Sequence, residues 1–583
     1  MIKHIGKLTL AATLGFSASN LYAQSMLSPA VGFEVDVLHT VGESVGGFTP
    51  VGILDGLGAF ELDANTVRVI SNHELLNFRG PTYTIPTNAI DLVGARLSAF
   101  DIDKTTRQVV SISNPVTTLI DHNGNIAVDA SLLANDFNGF SRFCSSAFEP
   151  AGQFDGRGLE NGIYFTGEED GGFFNGVGGN IWGLDVSSGN FYALPALGRG
   201  GWENIVEVDT GTTDSVAFIL ADDSSPFDFD GDSADEAAPL YLYVGEKNAT
   251  GDFAAQNGLR DGSLFVFVPD NAAIQTPADF NGSGSITGTW VEIDNTPQPT
   301  MGSEDGITGF DEFGYPTQST LITQAEAINA FGFSRPEDVS ANPADGSQLV
   351  LASTGVDTYV GGADTFGTVY LIDNDFADID APTATISILY DGDADSTRAL
   401  RSPDNLDWAD NGLIYIQEDE AEEDSLTGEP LFGAGAANPR EASIVQLNPE
   451  TGAIQFVASV DRNVILDPSN TDSTPIDQDA GEAGEWETSG ILDVSELFDE
   501  APGTLFVLDV QAHGIDDQDD VSTTSLITDD NLGEGGQLLL LSGSVALGGP
   551  APAIPALNKP SLLLLVMILL MVAAARLRHM GVQ

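Results

Sequence analysis

The chain has 583 residues, 42% of them hydrophobic, so a packed core is available, and it carries 87 acidic against 20 basic residues for a net charge of −67. Nucleic acid and anionic membrane surfaces are poor partners for the folded part of such a chain, because both need basic patches. Solubility in a salty medium accounts for much of the acidity, but acids gathered at particular loops need a separate account.

In chain order, the first element is an export signal. Residues 1–23 place Lys3 and Lys7 before an apolar run and a cleavage site at Leu21-Tyr22-Ala23, the grammar of a secretory signal peptide. No Arg-Arg pair is present there, which points to the general secretory route and not the twin-arginine route.

From about residue 30 to 548 helical periodicity is nearly absent, and short β-rich runs bounded by Gly, Asp, Asn and Pro dominate. One hairpin phrase recurs as AFDIDKTTRQVVSI (99–112), WGLDVSSGNFYALP (182–195) and VQLNPETGAIQFVA (445–458). A second phrase delivers acids at the end of a strand: VRVISNHEL (67–75), GIYFTGEEDGG (162–172), VAFILADDSS (216–225) and GLIYIQEDEAEED (412–424). Hairpins repeating with acids at matched strand ends predict an all-β fold, a β-propeller, in which residues distant in sequence meet in one ring. Six blades with acidic loop insertions fit the length. A β-sandwich or β-helix would not gather one loop per repeat on a common axis.

Cys144, in SRFCSSAFEP, is the single cysteine. With no partner in the chain it reads as an intermolecular bridge, a reactive thiol, a metal ligand or an inert buried residue. Residues 224–240 look like an insertion, and Asp228, Asp230 and Asp232 resemble the opening of a calcium loop, although Ser233 stands where an EF-hand needs Gly. Residues 419–442 and 466–488 read as acidic, Gly-rich surface loops.

The C-terminal segment 549–583 closes the chain with a proline-rich lead, an apolar block from Leu562 to Ala575, and Arg576, Arg578 and His579. The block is shorter than the ~20 residues of an ordinary spanning helix. The pattern resembles the C-terminal sorting signals of exosortase-type systems, the IPTL-CTERM and PEP-CTERM classes. That resemblance implies a tail held by the inner membrane or its sorting machinery through 562–575, and a protein of the periplasm, cell surface or exterior.

Eight phrases then carry a family resemblance in order: SNHELLN (71–77), FTGEEDGG (165–172), GRGGWENIVEVD (198–209), LADDSS (220–225), LYVGEKNATGDFAAQNGLRDGSLFVF (242–267), GFSRPEDVSANP (332–343), SPDNLDWADNGLIYIQED (402–419), and TSGILDVSELF with FVLDVQAHG (488–514). Together they resemble the PhoX-type alkaline phosphatases. The resemblance implies a six-bladed propeller that hydrolyses small phosphate esters with a pair of ferric irons (Fe3+) and calcium, held by carboxylates and one thiolate. Glu74 matches a cluster carboxylate, Glu168 or Glu169 the family's acidic pair, and Glu203 the Glu of a His-Glu in which Trp202 replaces the His. Arg335 and Glu337 match the phosphate-binding arginine and a metal carboxylate. Asp222 and Asp404 are further metal carboxylates, and Cys144 becomes the thiolate ligand. Arg335 precedes Pro336, which predicts extended backbone there. His73, Asn405 and His513 are each open between a role at the site and an ordinary hydrogen-bonded one.

The resemblance agrees with a physical requirement. A chain of this charge repels phosphate esters unless bound cations reverse the field locally. A non-catalytic, calcium-stabilised surface propeller and a phytase-like or lactone-cleaving hydrolase are the alternatives, since propellers host all of these.

Overall fold

The computed structural model describes residues 24–130, 139–171, 176–229, 231, 233–298, 309–419, 425–466, 477, 481–516 and 532–544. The signal segment 1–23, the tail 549–583, and Asp230 and Asp232 lie outside them.

Six antiparallel blades follow one another around an axis. Their innermost strands are Leu54–Asp63, Phe143–Glu149, Trp202–Val208, Pro336–Asn342, Pro403–Trp408 and Trp486–Asp493. Each packs against the next, and the sixth packs against the first, so the ring closes. The second strands are Thr66–His73, Ile163–Glu168, Ser215–Asp222, Asp345–Ser353, Ile414–Glu418 and Leu505–Asp516. The acid-bearing phrases are these second strands in blades 1, 2, 3 and 5. The recurrent hairpin phrases are third-to-fourth-strand hairpins of blades 1, 2 and 5.

The two ends of the chain build the last blade together: Phe33–Thr40 pairs antiparallel with Glu534–Gly543. A short first strand, Leu27–Pro29, caps the edge of blade 5. This pairing locks the ring shut, and radial repetition leaves only short edges at the blade rims. Blades 3 and 4 depart from independence, because Gly284–Ile293 pairs with both Ser263–Pro269 and Thr383–Asp391 and fuses them into one nine-stranded sheet.

The core lies between blades. Val206, Ile219, Leu242 and Phe265 of blade 3, for example, pack with Leu349, Leu351 and Tyr370 of blade 4. Apolar residues are thus consumed at the blade faces, which leaves strand ends at the axis free to be polar. One loop read as surface is anchored inside: Leu431 and Phe432 are buried. The fully buried Arg401 binds Glu418 at 2.9 and 2.6 Å and donates to the carbonyls of Leu431 (3.0 Å) and Asn438 (2.7 Å). Segment 425–442 therefore belongs to the fold, because a buried guanidinium needs those carbonyl acceptors.

Candidate metal centre

A single placement rule builds the centre. The second residue of each innermost strand is Asp55, Cys144, Glu203, Glu337, Asp404 and Glu487. The residue just after the second strand is Glu74, Glu169, Asp223 and Asp419 in blades 1, 2, 3 and 5. In blade 4 that position is Thr354. In blade 6 the longer second strand places His513 there, next to Ala512, which pairs with Trp486.

The cause of the rule lies in strand pairing. In blades 1 to 5 the register slips straight after the first pair: Leu54↔His73 is followed by Leu57↔Ser71, Phe143↔Glu168 by Ser146↔Thr166, and Trp202↔Asp222 by Ile205↔Leu220. Pro336↔Ser353 and Pro403↔Glu418 behave the same way. Each is a bulge with one extra residue on the inner strand, which bends it and re-aims its side chains. Blade 6 bulges later, between Ser489 and Ile491.

The ligand-type atoms form a continuous chain of overlapping groups, each within 4.8 Å: Asp55, Glu74 and Cys144; Cys144, Glu169 and Glu203; Glu203, Glu337 and Asp404; Asp404, Asp419 and Glu487. The Cys144 thiol donates to Asp55 Oδ2 at 3.0 Å. Gln511 Nε2 reaches Asp55 at 3.2 Å and Glu74 at 3.4 Å. Three basic groups stand at the margin. Arg142 bridges Glu74 (2.7 Å) and Glu169 (2.6 Å). Arg335 clamps Asp223 through two bonds of 2.8 Å and meets Glu337 at 3.2 Å. His513 lies between Glu534 (2.5 Å) and Glu487 (3.4 Å).

These bases do not balance the acids. Burial, reinforced by neighbouring carboxylates, pushes Glu169, Glu203, Glu337, Asp404 and Glu487 well above the usual carboxylate range. Burial and Glu74 raise Asp55 to about 7, and burial with Asp55 raises the Cys144 thiol. Asp223 falls below its usual value; burial acts against this, and Arg335 outweighs it. Protons thus stand where cations would be held. Glu203 is fully buried and its Oε2 has no hydrogen-bond partner, a cost on the order of 1–3 kcal/mol or more that a ligated ion removes. Many hard carboxylate oxygens with one soft sulfur suit calcium together with a transition metal.

Of the residues singled out in the sequence, the structure brings together Glu74, Cys144, Glu169, Glu203, Glu337 and Asp404, with Arg335 beside them. It does not bring Glu168 or Asp222 to the axis. Glu168 accepts from Ser141 N (3.4 Å), Asn180 N (3.3 Å) and Trp182 Nε1 (3.3 Å) inside blade 2. Asp222 accepts from Gly201 N (2.8 Å), Ser224 Oγ (2.6 Å) and Gln318 Nε2 (3.0 Å). Successive side chains on a strand point to opposite sides, so in each acid pair the first residue braces the blade and the second faces the centre. The backbone at Arg335 is left-handed (φ 56°), against the extended form expected before proline, and Arg142 shares that conformation (φ 42°). Both residues precede an inner strand, where the turn aims the guanidinium at the axis.

Asn405 is a cross-link between blades: its Oδ1 accepts from Gly490 N (3.1 Å) and lies 2.7 Å from Ser489 Oγ, whose one proton it shares with the closer Asp55 carboxylate. His73 is buried against Ser98 (2.7 Å) and Gly52 O (3.2 Å); burial pulls its pKa down to about 3, so it is neutral. Sequence reasoning missed Asp55, Arg142, Asp223, Asp419 and Glu487. Aligning the six inner strands by their second residue would have found Asp55 and Glu487, aligning the second strands by the residue after their end would have found Asp223 and Asp419, and Arg142 stands one residue before an inner strand, as Arg335 does.

The comparisons with known proteins follow this geometry. A family model described as alkaline phosphatase PhoX matches residues 212–463, which span most of blade 3, blade 4 and most of blade 5. The structure of Pseudomonas fluorescens PhoX in complex with vanadate, a transition state analogue, is similar at a TM-score of 0.56 and 15% identity, covering 89% of this chain and 96% of that one. A puromycin-hydrolyzing peptidase of Mycobacterium tuberculosis is far more distant, with a TM-score of 0.23 and 9% identity over 79% of this chain and 58% of that one. No curated protein matches. The resemblance read from the eight phrases is borne out as a match: the PhoX family model fits 212–463, and the structural similarity shows the same propeller fold over nearly the whole chain.

Proposed function

We propose that this PhoX-family chain is a metal-dependent phosphatase that hydrolyses phosphate esters at the propeller axis. The observation that carries the reading is the unbroken run of buried and half-buried acids and one thiol from Asp55 to Glu487, flanked by two guanidiniums. Calcium and an iron pair are the cations this donor set and the family resemblance favour. When bound, they supply Lewis-acid polarisation of the ester and neutralise charge developing on it.

The chain's own residues do the rest. Asp55, Glu74, Cys144, Glu169, Glu203, Glu337, Asp404, Asp419 and Glu487 would hold the cations. Arg142 and Arg335 are spaced around the same margin and offer planar donor pairs to phosphoryl oxygens. Arg142's partners Glu74 and Glu169, and Arg335's weaker partner Glu337, are themselves ligand candidates, so cation occupancy would free guanidinium donors for substrate while Asp223 keeps Arg335 in place. No serine nucleophile is required. His513, held above its ordinary pKa by Glu487 and Glu534 against the effect of burial, keeps a positive charge beside the ligands. Segments 1–23 and 549–583 support an exported protein of the periplasm or cell surface.

Metal analysis of the purified protein, with p-nitrophenyl phosphate hydrolysis before and after chelation, tests the reading. Expected are bound iron and calcium and a hydrolysis lost on chelation and restored by metal. Metal-loaded protein that hydrolyses no phosphate ester would favour a non-catalytic, calcium-stabilised propeller.

A further inference from the structure

We propose that the opposite end of the axis is a cation port, an acidic vestibule through which hard divalent cations of the calcium type reach the cluster without passing the arginines. This rests on reading the cluster as a metal centre. A cavity of about 520 Å³ runs along the inner strands from Ser145, Asn204 and Asp338 to Asp410 and Glu496. The first three are the residues directly after Cys144, Glu203 and Glu337, so the cavity begins immediately beneath the ligands. The last two are exposed, so it opens to solvent. Its acids are Glu149, Asp338, Asp407, Asp410, Asp493 and Glu496, and its lining includes no Arg, Lys or His.

The floor between vestibule and cluster is built of oxygen-rich groups. Ser145 N donates to Glu203 Oε1 at 3.2 Å, and the other oxygen of that carboxylate is the orphan described above. Asn204 donates to Asp338, whose second oxygen accepts from Leu406 N at 2.8 Å. Asp407, one step further down, accepts from Asp493 N at 2.8 Å, and burial first and the Asp493 carboxylate second push it well above the usual carboxylate range. At the other mouth Arg142 and Arg335 precede their inner strands and carry the positive charge. The two mouths therefore sort ions by sign: phosphate meets guanidinium at one, and cations meet six carboxyl groups at the other. Clefts lined by one sign of charge raise the on-rate of the opposite ion by roughly 10- to 1000-fold.

The test uses the full chain, stripped of metal and mixed rapidly with Tb3+ as a calcium surrogate, with luminescence sensitised by the indoles of Trp202, Trp486 and Trp408. Asp410→Lys with Glu496→Lys changes the lip and touches no ligand. At low ionic strength this pair should slow uptake by about tenfold. The effect should vanish near 1 M salt, where screening acts within about 3 Å, and the final signal at saturating Tb3+ should be unchanged. The milder Asp410→Asn with Glu496→Gln pair should slow uptake in the same direction by a smaller factor. Uptake within about twofold of the unaltered protein at low salt, or a slowing that persists at high salt, overturns the port. Phosphate ester hydrolysis is not the readout, so a failed phosphatase reading leaves this result standing on its own.

Discussion

Asp55→Asn separates the roles of proton and cation at the centre. Asp55 is fully buried and accepts from Gly56 N (2.6 Å), Ser489 Oγ (2.5 Å) and the Cys144 thiol (3.0 Å). In the metal-free fold its pKa rises from 3.8 to about 7, through burial first and Glu74 second. A folded-state pKa above the unfolded value means stability that is complete below pH 3.8 and lost as pH rises through about 7. The rise corresponds to about 4 kcal/mol between those limits. Chelated protein should therefore lose stability between about pH 4 and pH 8, and Asp55→Asn should remove about 4 kcal/mol of that loss. With cations bound the sign reverses, because the carboxylate is then the stabilising form and the variant loses metal affinity. Urea unfolding at a series of pH values, in chelator and in calcium, measures both. If the chelated protein and the variant have the same pH slope, or calcium leaves their ranking unchanged, the argument that protons replace cations at Asp55 is refuted.

Arg335→Ala in metal-loaded protein should raise KM for p-nitrophenyl phosphate and weaken inhibition by inorganic phosphate by about tenfold or more, the worth of a charged hydrogen bond, with the far-UV circular dichroism unchanged. Glu168→Gln and Glu169→Gln should part company. The first should lower the melting temperature through Trp182 and the Asn180 turn while metal content holds, and the second should lower metal content and turnover; elemental analysis beside calorimetry separates them. Cys144→Ser should reduce transition-metal content and keep calcium, and full iron retention in that variant would remove the thiolate from the ligand set.

The propeller was legible because its repeats are local. A hairpin such as Ala99–Ile112 announces its strands and turn within a few residues, and four second strands end in visible acids. Glu203 and Glu337 could be read because each lies within a recognisable phrase, and Cys144 because it is the single cysteine. Asp55 and Glu487 could not. Each is an ordinary strand acid by local pattern; the bulge after Leu54 re-aims Asp55, and Glu487 is placed by the pairing of blade 6's innermost strand with Leu505–Asp516. Glu168 and Glu169 were indistinguishable for a related reason: a difference of one residue decides which side of the strand a carboxylate faces. At Arg335 the local rule for a residue before proline lost to the tertiary turn that aims its guanidinium at Asp223 and Glu337.

The central claim is that one cationic centre is shared by all six blades. A crystal grown from metal-loaded protein, with anomalous difference maps collected at the iron edge and at long wavelength for calcium, tests it most directly. The account predicts peaks along the propeller axis within about 2.0–2.6 Å of Asp55, Cys144, Glu203, Glu337, Asp404 and Glu487. Maps with no peak between those side chains, or with ions confined to outer loops such as that of Asp228, would contradict it.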